Sequence, residues 1–271
     1  MIKNIAFIGA GNMAGAIIKG LLEQNYPAAS IQATTRTTAS AERAAAELGI
    51  HTSTDNRAAA EWADVIVLAV KPQMLQATCE GLADSINTQL IVSVAAGIDT
   101  ASIARWLGNE VAVVRSMPNT PSQVGVGASG LYANTRASAA DKAFAEQIAT
   151  ATGLCVWVQD EAQMHAITAV SGSGPAYYFL FMEAMIRAGV KLGLTPDTAR
   201  QLTLQTALGA ATLAGQVDVP VDELKRRVMS PGGTTERAIS AFEAGNLPQL
   251  VEQAMTDCAA RSQTLADELA K

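Results

Sequence analysis

A glycine-rich stretch near the start of the chain has the spacing of a phosphate-binding turn. Gly9-Ala10-Gly11-Asn12-Met13-Ala14 follows an apolar run, Ile5–Ile8, and precedes a helix-like segment. The first glycine permits a tight turn, the second lets the backbone approach a pyrophosphate, and the small Ala14 lets helix and strand pack closely. N–H groups at the helix start would then face the phosphates. Ordinary turns can imitate such a motif, but its place directly after a first strand predicts a dinucleotide-binding site.

The residues after the second apolar run bear on which dinucleotide binds. Enzymes that use NAD usually carry an acidic side chain there, which binds the ribose 2′-hydroxyl. Here Ile31–Thr34 is followed by Thr35-Arg36-Thr37, which contains no carboxylate. An arginine flanked by hydroxyls suits a 2′-phosphate through charge-assisted hydrogen bonds. The sequence therefore favours NADPH over NADH, with a solvated surface arginine as the alternative.

Two further stretches of small residues end later apolar runs. They are Ala69-Val70-Lys71-Pro72-Gln73 and Ser93-Val94-Ala95-Ala96-Gly97. Both are expected at the carboxyl edge of a parallel sheet, where such folds bind ligands, and their small residues would let backbone approach the nicotinamide and its ribose. Lys71 is either a catalytic acid or a loop lysine before a proline that ends the strand. We favour a role for the loop backbone over side-chain chemistry.

Three polar clusters rich in glycine and proline follow. They are Arg115-Ser116-Met117-Pro118-Asn119-Thr120-Pro121, Ser171-Gly172-Ser173-Gly174-Pro175-Ala176-Tyr177 and Ser230-Pro231-Gly232-Gly233-Thr234-Thr235-Glu236. Glycine-rich helix starts with Ser or Thr offer N–H donors to an anion. An ordinary helix–helix turn is the alternative, but the Gly-Gly-Thr-Thr run exceeds what a turn requires. We interpret it as a carboxylate-binding site.

Classical catalytic and metal-binding side chains are scarce. His51, expected on a short third strand, and His165, expected on a helix, are better explained by structural roles. Cys79, Cys155 and Cys258 are isolated, so we expect reduced, buried thiols and no metal site. Hydride transfer does not require such residues, because the cofactor carries the difficult chemistry.

The elements that must position these clusters alternate between strand and helix up to residue 158. The expected strands are buried on both faces, since their apolar runs are continuous, and this is typical of a parallel sheet covered by helices. Repeated strand–helix–strand units predict an α/β Rossmann domain, doubly wound and mainly parallel, over residues 1–160. The strands are expected at 5–8, 31–34, 65–70, 90–94, 111–115, 130–132 and 155–158, and the helices at 13–24, 39–48, 75–83, 100–107 and 139–150.

Residues 161–271 are expected to form an all-α domain, because no convincing strand follows residue 158. Short breaks with helix-start signals, such as Thr195-Pro196-Asp197, separate its helices. Residues 177–182 and 202–213 are apolar around most of a helix, which is typical of helices buried on all sides. A domain this small cannot bury several of them, so we expect a second subunit to cover them. A monomer with an unusually apolar surface is the alternative.

The composition limits the class of protein. With 271 residues, 49% of them hydrophobic, the chain can bury a full core and is not intrinsically disordered. A net charge of −6 argues against nucleic-acid binding, which would require a basic face. No secretion signal precedes the first strand, and the apolar runs are too short to cross a bilayer. We therefore expect a soluble, cytoplasmic protein that binds neither nucleic acid nor membranes.

Taken together and in this order, the clusters resemble those of pyrroline-5-carboxylate reductases. The resemblance covers essentially the whole chain, and the clusters at 171–177 and 230–235 are the most specific parts of it. It implies NAD(P)H-dependent reduction of L-1-pyrroline-5-carboxylate to L-proline, the last step of proline biosynthesis. It also implies a homodimer with interleaved helical domains, in which each active site combines two chains. Such dimers can assemble further, for example into a pentamer of dimers.

The resemblance also implies roles for particular residues. The helix start at Gly232 and Gly233 would receive the substrate carboxylate, and the hydroxyl of Thr235 would face the ring nitrogen. A protonated cyclic imine accepts hydride readily, so Thr235 need only orient it and relay a proton. The predicted substrate-binding residues are Ser230, Gly232, Gly233, Thr234 and Thr235, with Thr235 catalytic. The predicted cofactor-binding residues are Gly9, Ala10, Gly11, Asn12, Met13, Thr35, Arg36, Asn56, Ala69, Val70, Lys71, Pro72, Ala95, Ala96 and Asn119.

Two other functions are compatible with parts of the sequence. β-Hydroxyacid dehydrogenases also join a Rossmann domain to helices, but they carry a catalytic lysine after the domain junction. Only Lys191, between Gly189 and Gly193, could correspond to it, and its position is poor. A non-catalytic NADP sensor would have no use for the second anion site at residues 230–235.

Overall fold

The computed structural model describes residues 2–108 and 110–269. Strands and helices alternate through the first part of the chain, and helices alone make up the rest. The strands are β1 (Ile5–Ile8), β2 (Ile31–Thr34), β3 (His51–Ser53), β4 (Val65–Leu68), β5 (Leu90–Ser93), β6 (Val113–Met117), β7 (Gly127–Ala133) and β8 (Gly153–Trp157). The α-helices are α1 (Asn12–Glu23), α2 (Thr38–Leu48), α3 (Asn56–Trp62), α4 (Pro72–Leu82), α5 (Thr100–Trp106), α6 (Ala139–Thr150), α7 (Gln163–Ile167), α8 (Gly174–Lys191), α9 (Pro196–Gln216), α10 (Val221–Val228), α11 (Thr234–Ala244) and α12 (Leu247–Leu269).

The strands form one sheet in the order β3-β2-β1-β4-β5-β6-β7-β8. The first six are parallel, β7 runs antiparallel to β6, and β8 runs parallel to β7. This confirms the expected doubly wound, mainly parallel α/β fold. All residues of β1, β4 and β5 are buried, because helices cover both faces of the sheet there. The short helix α3 was not expected from the sequence.

Helix caps differ in a way that matters for ligand binding. Side chains cap α2, α3 and α5, where Thr37, Asp55 and Asp99 accept backbone N–H bonds from the first turn. Helix α1 begins after Gly11 with no side-chain cap and no acidic residue in its first turn. Its first N–H groups are therefore left for a partner from outside the helix.

Two compact units divide the chain, and their limits differ from the expected domain ranges 1–160 and 161–271. The sheet unit comprises the residues up to Ser173 together with those from Asp257 onwards, and the helical unit is Gly174–Thr256. Helix α7 belongs to the sheet unit because Gly130 in β7 leaves room for Ile167, whose side chain would lie 2.3 Å from a Cβ there. A π-helical turn, Thr168–Gly172, continues α7.

The helical unit buries few of its own side chains. In α8 only Gly174 is buried, and in α9 only Ala199 and Thr203 are. Large apolar side chains exposed in such number are typical of an interface between proteins. The exposed large hydrophobic side chains of α8 and α9 are Tyr178, Phe179, Leu180, Phe181, Met185, Val190, Leu202, Leu204, Leu208 and Leu213.

Candidate active site

The carboxyl ends of five parallel strands meet at one edge of the sheet. Strand register places Ile8 beside Thr34 and Leu68, and Ser93 beside Leu68 and Arg115, in one row across the sheet. The loops that follow this row carry the predicted cofactor stretches. The structure therefore brings together the residues predicted at 9–13, 35–36, 69–72 and 95–96, as a ligand-binding edge of this fold requires.

Gly9 makes the tight turn that the motif predicts. Its φ is +101°, its N–H donates to the Thr34 carbonyl at 3.2 Å, and a Cβ at this position would lie 2.9 Å from the Ala69 carbonyl oxygen. The Ala69 N–H in turn donates to the Ile8 carbonyl at 2.9 Å. The turn thus passes so close to the end of β4 that only glycine fits.

The start of α1 is open in the way a pyrophosphate needs. A Cβ on Gly11 would meet no atom within 4 Å, and the backbone there is extended with φ −81°. Ala14 is 1% exposed and packs into the core, as the third position of the motif requires. Open space before an uncapped helix start fits an anionic dinucleotide.

Arg36 lies after β2 with its side chain exposed. Among the described residues the structure gives its guanidinium no hydrogen bond or ion pair. The turn around it is ordered, because the Thr35 hydroxyl donates to the Thr37 carbonyl at 3.0 Å and Thr37 caps α2. Arg36 is therefore available to a phosphate at this edge.

Three other predicted cofactor residues, Asn56, Lys71 and Asn119, differ in their exposure and hydrogen bonding. Asn56 is the first residue of α3 and is half-buried, while Lys71 precedes α4 with an exposed side chain. Both the nitrogen and the oxygen of the Asn119 side-chain amide form hydrogen bonds within the protein. It donates to the Ser171 carbonyl at 3.0 Å and accepts the Ala128 N–H at 2.9 Å. In this arrangement the Asn119 side chain holds the loop after β6.

The predicted substrate cluster lies in the helical unit, at the start of α11. Gly233 precedes the helix with no side-chain cap, and its N–H donates to the Ser230 carbonyl at 2.8 Å. A cavity of about 490 Å³ opens there, lined by Gly232, Gly233, Thr234, Glu236, Arg237 and Ser240. An uncapped helix start beside an arginine suits a carboxylate. Thr235 is half-buried.

Glu236, the last residue of this cluster, has a role that was not predicted from the sequence. The Glu236 carboxylate accepts the Gly232 N–H at 2.6 Å. A Glu at the third helical position that bonds back to the turn before the helix is a capping pattern, so the spacing from Gly233 to Glu236 was a usable signal.

A buried ion pair was also missed. Arg115, in the row that precedes the loops, has a side chain that is 2% exposed, and its Nη1 lies 3.3 Å from Glu161 Oε1. The Glu161 carboxylate also accepts the backbone N–H and the hydroxyl of Thr100, each at 2.8 Å. No local motif marks Glu161, but a buried arginine requires an acidic partner.

The histidines and cysteines lie where structural roles would put them. His51 is exposed on β3, and His165 Nδ1 lies 3.0 Å from the Ser262 hydroxyl. Burial, followed by the charge of Arg115, lowers the pKa of His165 below its usual value. Cys79 is buried, which raises its pKa to about 12, while Cys155 and Cys258 are only partly buried, contrary to expectation.

Residues 2–108 and 110–269 hold no group of three or more His, Cys, Asp or Glu side chains placed to bind a metal ion. Within the same ranges, no helix is long and apolar enough to span a membrane.

Comparison with known proteins matches both parts of the chain. Residues 161–265 match the family described as pyrroline-5-carboxylate reductase dimerisation, and residues 4–97 match NADP oxidoreductase coenzyme F420-dependent. Pyrroline-5-carboxylate reductase of Pseudomonas aeruginosa is 53% identical over 98% of this chain and 97% of its own length.

Solved structures agree with these matches. A pyrroline-5-carboxylate reductase from Coxiella burnetii has 46% identity and a TM-score of 0.94, covering 98% of this chain and 99% of that one. The pyrroline carboxylate reductase of Plasmodium falciparum, crystallised with NADP bound, has 28% identity and a TM-score of 0.87 over 97% of this chain and 98% of that one. The identity and near-complete coverage decide the question: the chain belongs to the pyrroline-5-carboxylate reductase family.

Proposed function

We propose that this protein reduces L-1-pyrroline-5-carboxylate to L-proline with NAD(P)H, the final step of proline biosynthesis. The observation that carries the proposal is that α1 and α11 both begin after a glycine, Gly11 and Gly233, with no side-chain cap. The first suits the phosphates of a dinucleotide and the second the carboxylate of a small substrate. The relatives that this chain matches are biosynthetic enzymes, which also supports a cytoplasmic location.

The residues at the sheet edge would hold NADPH. The turn at Gly9 and the open N–H groups after Gly11 would bind the pyrophosphate, and Arg36 would bind the 2′-phosphate. The small residues Ala95 and Ala96 would leave room for the nicotinamide. When bound, the cofactor supplies the hydride that reduces the carbon of the C=N bond.

The start of α11 would bind and orient the substrate. Free N–H groups of Thr234 and Thr235 would receive its carboxylate, with Gly232, Gly233 and Ser230 shaping the turn. Solvent can protonate the imine nitrogen, so no strong protein acid is needed there. The Thr235 hydroxyl would hydrogen-bond that nitrogen, orient the ring and relay a proton.

The exposed apolar faces of α8 and α9 support self-association, as does the match to a dimerisation family. We propose a homodimer whose helical domains interleave, so that each active site uses residues of both chains. Light scattering decides whether such dimers assemble further into a pentamer of dimers.

The direct test is oxidation of NADPH in the presence of pyrroline-5-carboxylate, repeated with NADH. Removing the hydroxyl in Thr235→Val should lower kcat/KM by about 10²-fold, and Thr235→Ser should restore most of it. Thr264→Val is the matched control, because the exposed Thr264 hydroxyl bonds only to the Ala260 carbonyl of its own helix. Full kcat and KM in T235V would refute the role of Thr235. A wild-type chain that binds NADPH but does not oxidise it would refute the function and favour a sensor.

A further inference from the structure

The loop between β5 and α5 carries Ala95 and Ala96, and it is held at its first end by strand contacts. The Val94 N–H donates to the Leu68 carbonyl at 3.1 Å, and the Ala95 N–H donates to the Ser93 hydroxyl at 3.3 Å. These bonds fix where the loop leaves the sheet. They do not fix where it enters α5.

Glu161 holds the other end of this loop. Thr100, the first residue of α5, is 4% exposed, and both its N–H and its hydroxyl donate to the Glu161 carboxylate at 2.8 Å. The two bonds use different oxygens, so they fix the orientation of Thr100 as well as its position. Asp99, directly before it, caps α5 by accepting the Ser102 N–H at 2.6 Å.

Arg115 fixes the carboxylate in turn. It belongs to β6 and lies beside Ser93 in the sheet, so it ties Glu161 to the same row of residues from which the loop departs. Its Nη2 is buried without a hydrogen-bond partner among the described residues. A buried guanidinium in this state depends strongly on its one carboxylate partner. Glu161 therefore links β6, through Arg115, to the start of α5, through Thr100.

We infer that Glu161 is a positioning residue for the nicotinamide end of NADPH, acting through Thr100 on the loop at Ala95 and Ala96. This inference rests on the proposed function. It assigns a cofactor-site role to a residue outside the predicted cofactor stretches. The side-chain contacts of Glu161 are to Thr100 and Arg115, and neither residue belongs to the loops at Gly11 and Arg36, so the adenine end of the site should not depend on Glu161.

The test compares NADPH with adenosine 2′,5′-bisphosphate, which lacks the nicotinamide half. In Thr100→Val and in Glu161→Ala, Kd for NADPH should rise by about fivefold to tenfold, as expected for loss of one or two hydrogen bonds. Kd for the bisphosphate should stay within about twofold of the wild-type value. Thr100→Ser keeps the hydroxyl and should restore NADPH binding. Equal weakening of both ligands, or of neither, would overturn the inference.

Hydrogen exchange in the ligand-free chain gives a second readout. The Thr100 amide should exchange at least about tenfold faster in Glu161→Ala, because its acceptor is gone. Glu110→Gln is the matched control, since it removes an exposed carboxylate paired with Arg136, beyond the other end of α5. Unchanged exchange at Thr100 would contradict the inference. A wild-type chain that bound no NADPH would contradict the proposed function. The exchange rate of the Thr100 amide would still show whether Glu161 holds the start of α5.

Discussion

Three glycines allow the fold and the cofactor site to be tested separately. Gly9→Ala places a Cβ 2.9 Å from the Ala69 carbonyl oxygen and 3.1 Å from the Val70 nitrogen, at a φ of +101°. The neighbouring atoms are backbone at the end of β4, so they cannot move without shifting the strand. Strain from the positive φ costs about 1–2 kcal/mol and overpacking about 1–3 kcal/mol more. We expect G9A to lose about 2–5 kcal/mol of unfolding free energy.

Gly11→Ala should leave the stability nearly unchanged and weaken NADPH binding. The φ of −81° is ordinary for alanine, and no atom lies within 4 Å of the added Cβ. The unfolding free energy should change by less than about 1 kcal/mol, since a small loss of capping is offset by a less flexible unfolded chain. The methyl group would occupy the space through which a pyrophosphate approaches. We expect Kd for NADPH to rise at least about tenfold, or about 1.4 kcal/mol.

Gly49→Ala is the control for backbone strain alone. Gly49 ends α2 with a φ of +68° and no neighbour within 4 Å of an added Cβ. It should lose about 1 kcal/mol of stability and keep its affinity for NADPH.

Urea denaturation gives the unfolding free energies, and titration of NADPH fluorescence gives the Kd values. Two results would refute the reasoning. One is a G9A variant whose unfolding free energy lies within about 1 kcal/mol of the wild-type value, since the backbone at Ala69 would then accommodate the added Cβ at little cost. The other is a G11A variant that binds NADPH as tightly as wild type, since the open space before α1 would then not be the pyrophosphate site.

Further variants test other parts of the structure. Arg36→Ala should weaken NADPH by about tenfold or more and leave NADH activity unchanged in steady-state assays, whereas equal loss with both cofactors would contradict the 2′-phosphate assignment. Leu208→Asp, on the face of α9 where Leu208 is 62% exposed, should shift the mass measured by light scattering to that of a monomer; an unchanged mass would place the interface elsewhere. The pKa of His165 is lowered in the folded state, so as pH falls below about 6.5 the unfolded chain binds a proton before the folded chain does. The unfolding free energy should therefore decrease as pH falls below that value. His165→Asn should flatten this loss in urea titrations across pH, and His51→Asn, on the exposed edge strand, should retain it.

The sequence predicted elements well where the signal was local. The run Ile5–Ile8, the glycine turn and the start of α1 all depend on residues within a few positions of one another. Strand β7 was predicted only at 130–132, although it spans Gly127–Ala133, because its glycines lower the strand signal. Those glycines are explained by tertiary packing: Ser122 lies against Gly127, and Ile167 lies against Gly130.

The polar cluster at 171–177 shows the same limitation. The glycines there suggested a turn, but the chain continues as a π-helical turn, Thr168–Gly172, almost directly into α8. Gly172 is needed because the Met117 side chain would lie 2.6 Å from a Cβ at that position. A glycine that makes room for a distant side chain cannot be told from a turn glycine by sequence alone.

The residues of the candidate site show the same difference between local sequence signals and tertiary contacts. The sequence by itself was enough to predict candidate groups for phosphate and carboxylate, because a helix start and the glycines before it are neighbours in the chain. Only the tertiary structure decided how the charged side chains pair. Glu161 reaches Arg115 across 46 residues and Thr100 across 61, so no spacing rule connects them. Their pairing follows from burial: Arg115 lies in the sheet away from water, and a charge in that position must meet its partner wherever the fold brings one.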